Sequence, residues 1–244
     1  MRIPRIYLPT QLEPGLSLEL TEHAFQHAIR VLRLKQGAEL FLFDGKGNEV
    51  EATIETINKK NAFVRTGSSI PSDTESGLSI HLGLGISKGE RMDYAIQKAV
   101  ELGVTEITPL FTEHCVVNLD EKRSKKRWEH WQGVIISACE QCGRSLLPIL
   151  HEASALTHWA SHQDELSLIL DPLANNSLKS VKPETKKINI LVGPEGGLSA
   201  NEIDELKLKN NFYAVRFGPR ILRTETAAVA VLTAIQARWG DLLD

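Results

Sequence analysis

From residue 78 onward the chain alternates short apolar runs with segments of helical period, and this alternation restricts it to folds built on a largely parallel sheet. Leu78 to Ile86 reads as a buried strand. Glu90 to Leu102 reads as a helix, because Met92, Ala95, Ile96, Ala99 and Val100 fall on one face. Gly103 stands where a helix C-terminus favours glycine. Glu106 to Phe111 reads as a strand, and Lys125 to Cys142 as a long helix carrying Trp128, Trp131, Ile135, Ala138 and Cys142 along one side. Leu166 to Leu170, Ile188 to Val192 and Tyr213 to Phe217 are three further strands. Ser199 and Glu202 have capping-box spacing and open another helix. An alanine-rich helix, Thr226 to Trp239, closes the chain.

The first seventy residues have a different rhythm. Ala38 to Phe43, Val50 to Ile57 and Ala62 to Arg65 are strand-like runs separated by Asp-Gly and Asn-Lys-Lys-Asn turns, which predicts a small barrel or sandwich. A short helix interrupts it from Thr21, as N-cap, to Val31. Ser68 to Gly77 is polar, contains Pro71 and Gly77, and reads as a linker. We therefore expect two domains, 1–72 and 73–244.

A net charge of -3 argues against a uniformly basic nucleic-acid binder but leaves room for a local basic face. Arg2, Arg5, Arg30, Arg33 and Lys35 cluster in the first forty residues. A second run, Lys122, Arg123, Lys125, Lys126 and Arg127, is diluted by Asp120, Glu121 and Glu129 and reads as a solvated helix start. Three cysteines do not make a disulfide framework, no apolar run is long enough to span a membrane, and the N-terminus lacks a signal-peptide core. The expected setting is cytoplasmic.

Two glycine-bearing loops lie between a strand and a helix, where open α/β sheets bind ligands. One is Gly193-Pro194-Glu195-Gly196-Gly197. Its glycines permit close backbone approach, although a tight turn alone would also need them. The other is Gly218-Pro219-Arg220-Ile221-Leu222-Arg223-Thr224-Glu225-Thr226-Ala227. Its Arg223 suits developing negative charge and its Glu225 suits proton transfer. In the simpler reading Thr224 or Thr226 caps the last helix, with Glu225 against its dipole. Gly83 to Gly89 matches neither the dinucleotide nor the triphosphate loop pattern. Cys139 and Cys142 fall late in a helix, where a redox pair does not belong, and read as buried packing. His23 and His27 lack a third ligand, so no metal is expected.

Taken together, the two loops resemble the cofactor-binding motifs of the SPOUT methyltransferases. More narrowly they resemble the RsmE type, which methylates N3 of a uridine in 16S ribosomal RNA. His27 to Arg33, Lys88 to Asp93 and Glu140 to Arg144 agree, so the resemblance spans nearly the whole chain; Cys142 departs from the expected small residue such as serine. The resemblance implies a C-terminal α/β domain with a deep trefoil knot, an exception to the rule against threaded chains. It also implies a PUA-like N-terminal β-barrel that binds RNA, a homodimer, and bent S-adenosyl-L-methionine held in the knot.

On this resemblance Leu170, Gly193, Pro194, Glu195, Gly196, Gly197, Gly218, Ile221, Leu222, Thr224 and Ala227 are expected to bind the cofactor. Arg223 and Glu225 are expected to serve the chemistry, and Arg2, Arg5, Arg30, Arg33, Lys88, Arg91 and Arg144 to contact RNA. The expected partner is 16S ribosomal RNA in the small ribosomal subunit, with its target base unpaired or flipped out. Two alternatives remain at this point: a related enzyme acting on transfer RNA or a ribose 2′-OH, and a non-catalytic RNA-binding module.

Overall fold

The computed structural model describes residues 3–115 and 121–243, and it divides into two compact units. The first contains Met1–Glu75 and Ile136–Leu147; the second contains Ser76–Ile135 and Pro148–Asp244.

In the first unit β1 (Arg5–Tyr7), β2 (Ser17–Glu19), β3 (Glu39–Phe43), β4 (Glu49–Ile57) and β5 (Ala62–Ile70) form one sheet in the order β1-β3-β4-β5-β2. Only β1 and β3 run parallel. Two register shifts between β4 and β5 bend the sheet, as bulges do. Ile6, Leu8, Leu40, Leu42, Ile54 and Val64 meet in its core. β1 and β2 share no ladder among the described residues, so the strands do not close into a fully hydrogen-bonded barrel.

The helix predicted from Thr21 to Val31 is two kinds of helical turn. Thr21 does cap it, accepting from the Ala24 N–H at 3.3 Å. The α-helical part, α1 (Glu22–Phe25), is a single turn that widens into a π-helical turn over Gln26–Val31. The chain then passes through Arg33 at φ 56, a left-handed conformation uncommon outside glycine.

Residues 136–147, which the sequence left with the second part, are bound into the first unit by polar contacts. Glu140 Oε1 accepts from the Tyr7 N–H at 3.0 Å, and its Oε2 lies 2.8 Å from His27 Nδ1. Arg144 pairs with Glu75 at 2.7 Å. The predicted linker is therefore shorter than its composition implied: β5 runs on to Ile70, and Glu75 holds Arg144.

The second unit alternates as expected. Its elements are β6 (Ser79–Gly85), α2 (Glu90–Glu101), β7 (Glu106–Phe111), α3 (Glu121–Cys142), β8 (Ile149–Leu150), β9 (Ser154–Ala155), α4 (Leu156–Ser161), β10 (Ser167–Leu170), β11 (Lys187–Val192), α5 (Ala200–Lys207), β12 (Phe212–Val215) and α6 (Thr224–Trp239). α3 passes from the second unit into the first between Ile135 and Ile136. The strand order is β12-β10-β11-β6-β7-β8, with β9 also on β7, and every pairing is parallel.

Ile80, Leu82, Leu84, Ile188 and Ile190 are fully buried, the near-continuous apolar pattern of a sheet covered on both faces. α2 buries the five residues its period predicted and packs against α6. Gly103 follows it at φ 78. Ser199 and Glu202 form the predicted capping box. No described helix is long and apolar enough to cross a membrane.

Candidate active site

β12, β10 and β11 are neighbours in a parallel sheet, so the loops after them leave the same edge. A cavity of about 820 Å³ opens there. Its walls are Leu170 to Leu173 after β10, Val192 to Leu198 after β11, and Val215 to Phe217 with Arg220 to Thr224 after β12. Ala200, Ile203, Asp204 and Lys207 of α5, Ala227 of α6 and Arg91 of α2 complete it. Five cations (Arg91, Lys207, Arg216, Arg220, Arg223) face three carboxylates (Asp171, Glu195, Asp204), so the lining carries a positive excess.

The glycine loop is fixed by close packing. A Cβ on Gly85, the last residue of β6, would stand 2.4 Å from Pro194 N and 2.8 Å from the Gly193 carbonyl carbon. A Cβ on Gly196 would stand 2.8 Å from His114 Cβ. His114 Nδ1 donates to the Gly196 carbonyl at 3.0 Å, and the Gly197 N–H closes a turn onto the Pro194 carbonyl at 2.9 Å. On its outer side Glu195 Oε1 accepts from the Lys88 N–H at 3.0 Å and from Arg91 Nη1 at 3.2 Å. Burial alone would raise the Glu195 pKa; hydrogen bonds from backbone N–H groups, Ser87 and Arg91 outweigh it and hold the carboxyl low.

Of the glycines in Gly83 to Gly89, Gly83 and Gly85 serve packing, and Gly89 turns the chain at φ 61 with open space around it. Gly83 lies beneath the Trp159 ring, where a Cβ would come within 2.9 Å of it, and Gly85 lies beneath Pro194.

Among the described residues one three-member group brings possible metal ligands together: His81, Glu106 and His151. Trp159 Nε1, which can only donate, lies 3.2 Å from His81 Nε2, and Thr108 Oγ1 lies 2.7 Å from the same nitrogen. The lone pair of that nitrogen is already accepting hydrogen bonds. Burial pushes the His81 pKa down to about 4. Glu106 Oε2 pairs with His151 Nε2 at 2.7 Å. The donor set is a satisfied polar network.

A family model described as an RNA methyltransferase domain matches residues 74–236, and one described as an RNA methyltransferase PUA domain matches residues 20–66. The chain belongs to the RNA methyltransferase family. Ribosomal RNA small subunit methyltransferase E of Buchnera aphidicola (Schizaphis graminum) is 36% identical to this methyltransferase, over 99% of this chain and 98% of that protein. The protein of the same name from Bacillus subtilis is 27% identical over 92% and 91% of the two chains. A solved Legionella pneumophila protein, described as a methyltransferase with bound SAM, is 44% identical with a TM-score of 0.96, covering 99% of this chain and 100% of its own. The Neisseria gonorrhoeae ribosomal RNA small subunit methyltransferase E, bound to S-adenosyl methionine, is 37% identical with a TM-score of 0.91, covering 99% and 100%.

Of the residues expected to bind a cofactor in this methyltransferase, all line the cavity except Gly218, which turns the preceding chain at φ 69. Arg223 lines it as well. Glu225 does not; it sits in the first turn of α6 with Oε2 buried and without a hydrogen-bond partner. Neither threonine caps that helix: its N-cap is Arg223, with no side-chain cap bond, and Thr224 is its buried first residue.

The residues expected on RNA separate into two kinds. Arg30, Arg33, Lys88 and Arg91 are exposed. Arg5 and Arg144 are not available to phosphate: Arg5 is bidentate on Glu49 at 2.7 and 2.8 Å, and Arg144 is held by Glu75. Arg2 lies outside the described residues. Cys139 is buried and its pKa is pushed up to about 12, as inert packing requires.

Sequence reasoning missed Asp171, Lys207, Arg216 and Arg220 as cavity residues. Arg220 lies inside the second glycine motif and Arg216 just before it, but Asp171 and Lys207 carry no local signal.

Proposed function

We propose that the protein transfers a methyl group from S-adenosyl-L-methionine to N3 of a uridine in 16S ribosomal RNA of the small subunit, as a cytoplasmic homodimer. The observation that carries this reading is the cavity at the strand ends in a chain of this family. The names of its relatives and the SAM bound in two solved neighbours support it.

The cavity fits such a cofactor. Gly193 lets the loop fold tightly on itself, since a Cβ there would stand 3.0 Å from Leu198 N; Gly197 has open space where a Cβ would be, and Leu170, Leu173, Val192, Leu198, Ile203 and Leu222 offer apolar walls. We assign the lining loops to a deep trefoil knot. The strand order supports this, since the chain leaves β11 and crosses β10 to reach β12. The cofactor supplies an electrophilic methyl group on a sulfonium.

The chain's own residues do the rest. Arg223 stabilises negative charge spreading onto the uracil oxygens as N3 loses its proton. Glu225, two residues after Arg223 and outside the cavity lining, is assigned as the base that takes that proton, supported by its buried oxygen without a hydrogen-bond partner. Arg30, Arg33, Lys88 and Arg91 contact phosphates without reading sequence.

Calorimetry with S-adenosylmethionine tests the cofactor; no binding would leave a non-catalytic RNA-binding module. Mass mapping of 16S RNA methylated in vitro tests the target, and methyl on transfer RNA or on ribose would overturn it. A well-folded Glu225→Gln protein with full turnover would remove the base assignment.

A further inference from the structure

We infer that Glu195 is a positioning residue that ties the Gly193–Gly197 loop to the turn leading into α2 and thereby holds that loop in its cofactor-binding shape. This rests on the methyltransferase reading above and gives Glu195 a role other than touching the cofactor. The turn into α2 passes through Lys88 and the N-cap Gly89, which stands at φ 61 and makes no side-chain cap bond.

The partner of this turn arrives from 107 residues away: Glu195 Oε1 takes the Lys88 N–H at 3.0 Å and Arg91 Nη1 at 3.2 Å. Two donors within Lys88 to Arg91 therefore converge on one carboxylate oxygen, and the negative charge also suits its place near a helix N-terminus. Glu195 stands inside the turn closed by the Gly197 N–H on the Pro194 carbonyl, so anchoring its side chain anchors that turn. Gly85 beneath Pro194 and His114 on Gly196 hold the same loop at two further points. An unanchored loop has to be ordered when the cofactor binds, and that cost appears as lost affinity.

The test compares wild type, Glu195→Ala and Glu195→Gln by S-adenosylmethionine calorimetry, steady-state kinetics and hydrogen exchange without cofactor. Losing hydrogen bonds to a charged acceptor weakens cofactor binding in Glu195→Ala by on the order of tenfold to a hundredfold. The loss falls mainly on KM for the cofactor, and the Lys88 amide exchanges faster in the cofactor-free protein. Glu195→Gln keeps one acceptor oxygen and lies between the two.

Wild-type affinity in Glu195→Ala, or unchanged Lys88 exchange, overturns the inference, because a direct cofactor contact would leave cofactor-free exchange untouched. If Glu195→Ala does not fold, the Glu195→Gln protein decides by the same two readouts. If the wild type itself binds no S-adenosylmethionine, the methyltransferase reading fails and takes this inference with it.

Discussion

Replacing Gly85 by alanine puts one methyl group where the cofactor loop touches β6. The new Cβ would lie 2.4 Å from Pro194 N, 2.5 Å from Pro194 Cδ and 2.8 Å from the Gly193 carbonyl carbon, whereas ordinary contact begins near 3.4 Å. The loop must therefore retreat by about 1 Å, and the atoms in the way are backbone or a rigid ring, with no flexible side chain to swing aside. Overpacking of this kind costs about 1–3 kcal/mol. If that cost falls on the cofactor-competent loop, S-adenosylmethionine binds roughly 5-fold to 150-fold more weakly. If it falls on the fold, the melting midpoint drops by about 2 °C or more. Calorimetry and thermal denaturation of the same preparation separate the two. Gly133→Ala is the matched control: it lies within α3, has open space around its would-be Cβ, and should gain about 0.5–1 kcal/mol of stability with unchanged affinity. A Gly85→Ala protein with wild-type affinity and wild-type midpoint would refute the close approach of Pro194 to β6.

Arg5→Ala leaves Glu49 buried without its partner and should cost about 3–5 kcal/mol in urea unfolding; a loss of RNA affinity without a loss of stability would return Arg5 to the RNA face. Arg30→Ala and Arg33→Ala should each lower the salt slope of RNA binding by about one, with the fold unaffected, and a slope equal to wild type would exclude the phosphate contact. For His81, burial is the chief cause of its low pKa, aided by His151 and opposed by Glu106. The ring is neutral in the fold and protonates in the unfolded chain below about 6.5. Its contribution is therefore complete above pH 6.5 and is lost as pH falls toward 4, by on the order of 3 kcal/mol at most. Urea titrations across that range should flatten in His81→Gln, and an unchanged slope would assign the acid sensitivity elsewhere.

The strand–helix alternation of the second unit was legible because each element carries its own period. β6, α2, β7 and β11 fall within one residue or so of their predicted bounds, and the capping box at Ser199 is local chemistry. Both glycine loops were legible for the same reason, and the cavity gathers nearly all the residues they offered. β8, β9 and α4 escaped notice because elements of two to six residues do not complete a period. The π-helical turn also escaped, since an apolar face looks alike for neighbouring helix types over so short a span.

Sequence by itself determined the class of sheet, the two ligand-facing loops and, through resemblance, the chemistry to look for. Only the tertiary structure decided what each charge does. Arg5 and Arg30 are alike in sequence, yet one is locked on Glu49 and the other lies exposed. Glu195 reads as part of a cofactor motif, yet its carboxylate accepts from the turn before a helix, 107 residues away. A charge takes its role from the partners that burial and strand order bring to it, and distances between such partners are not written in local sequence.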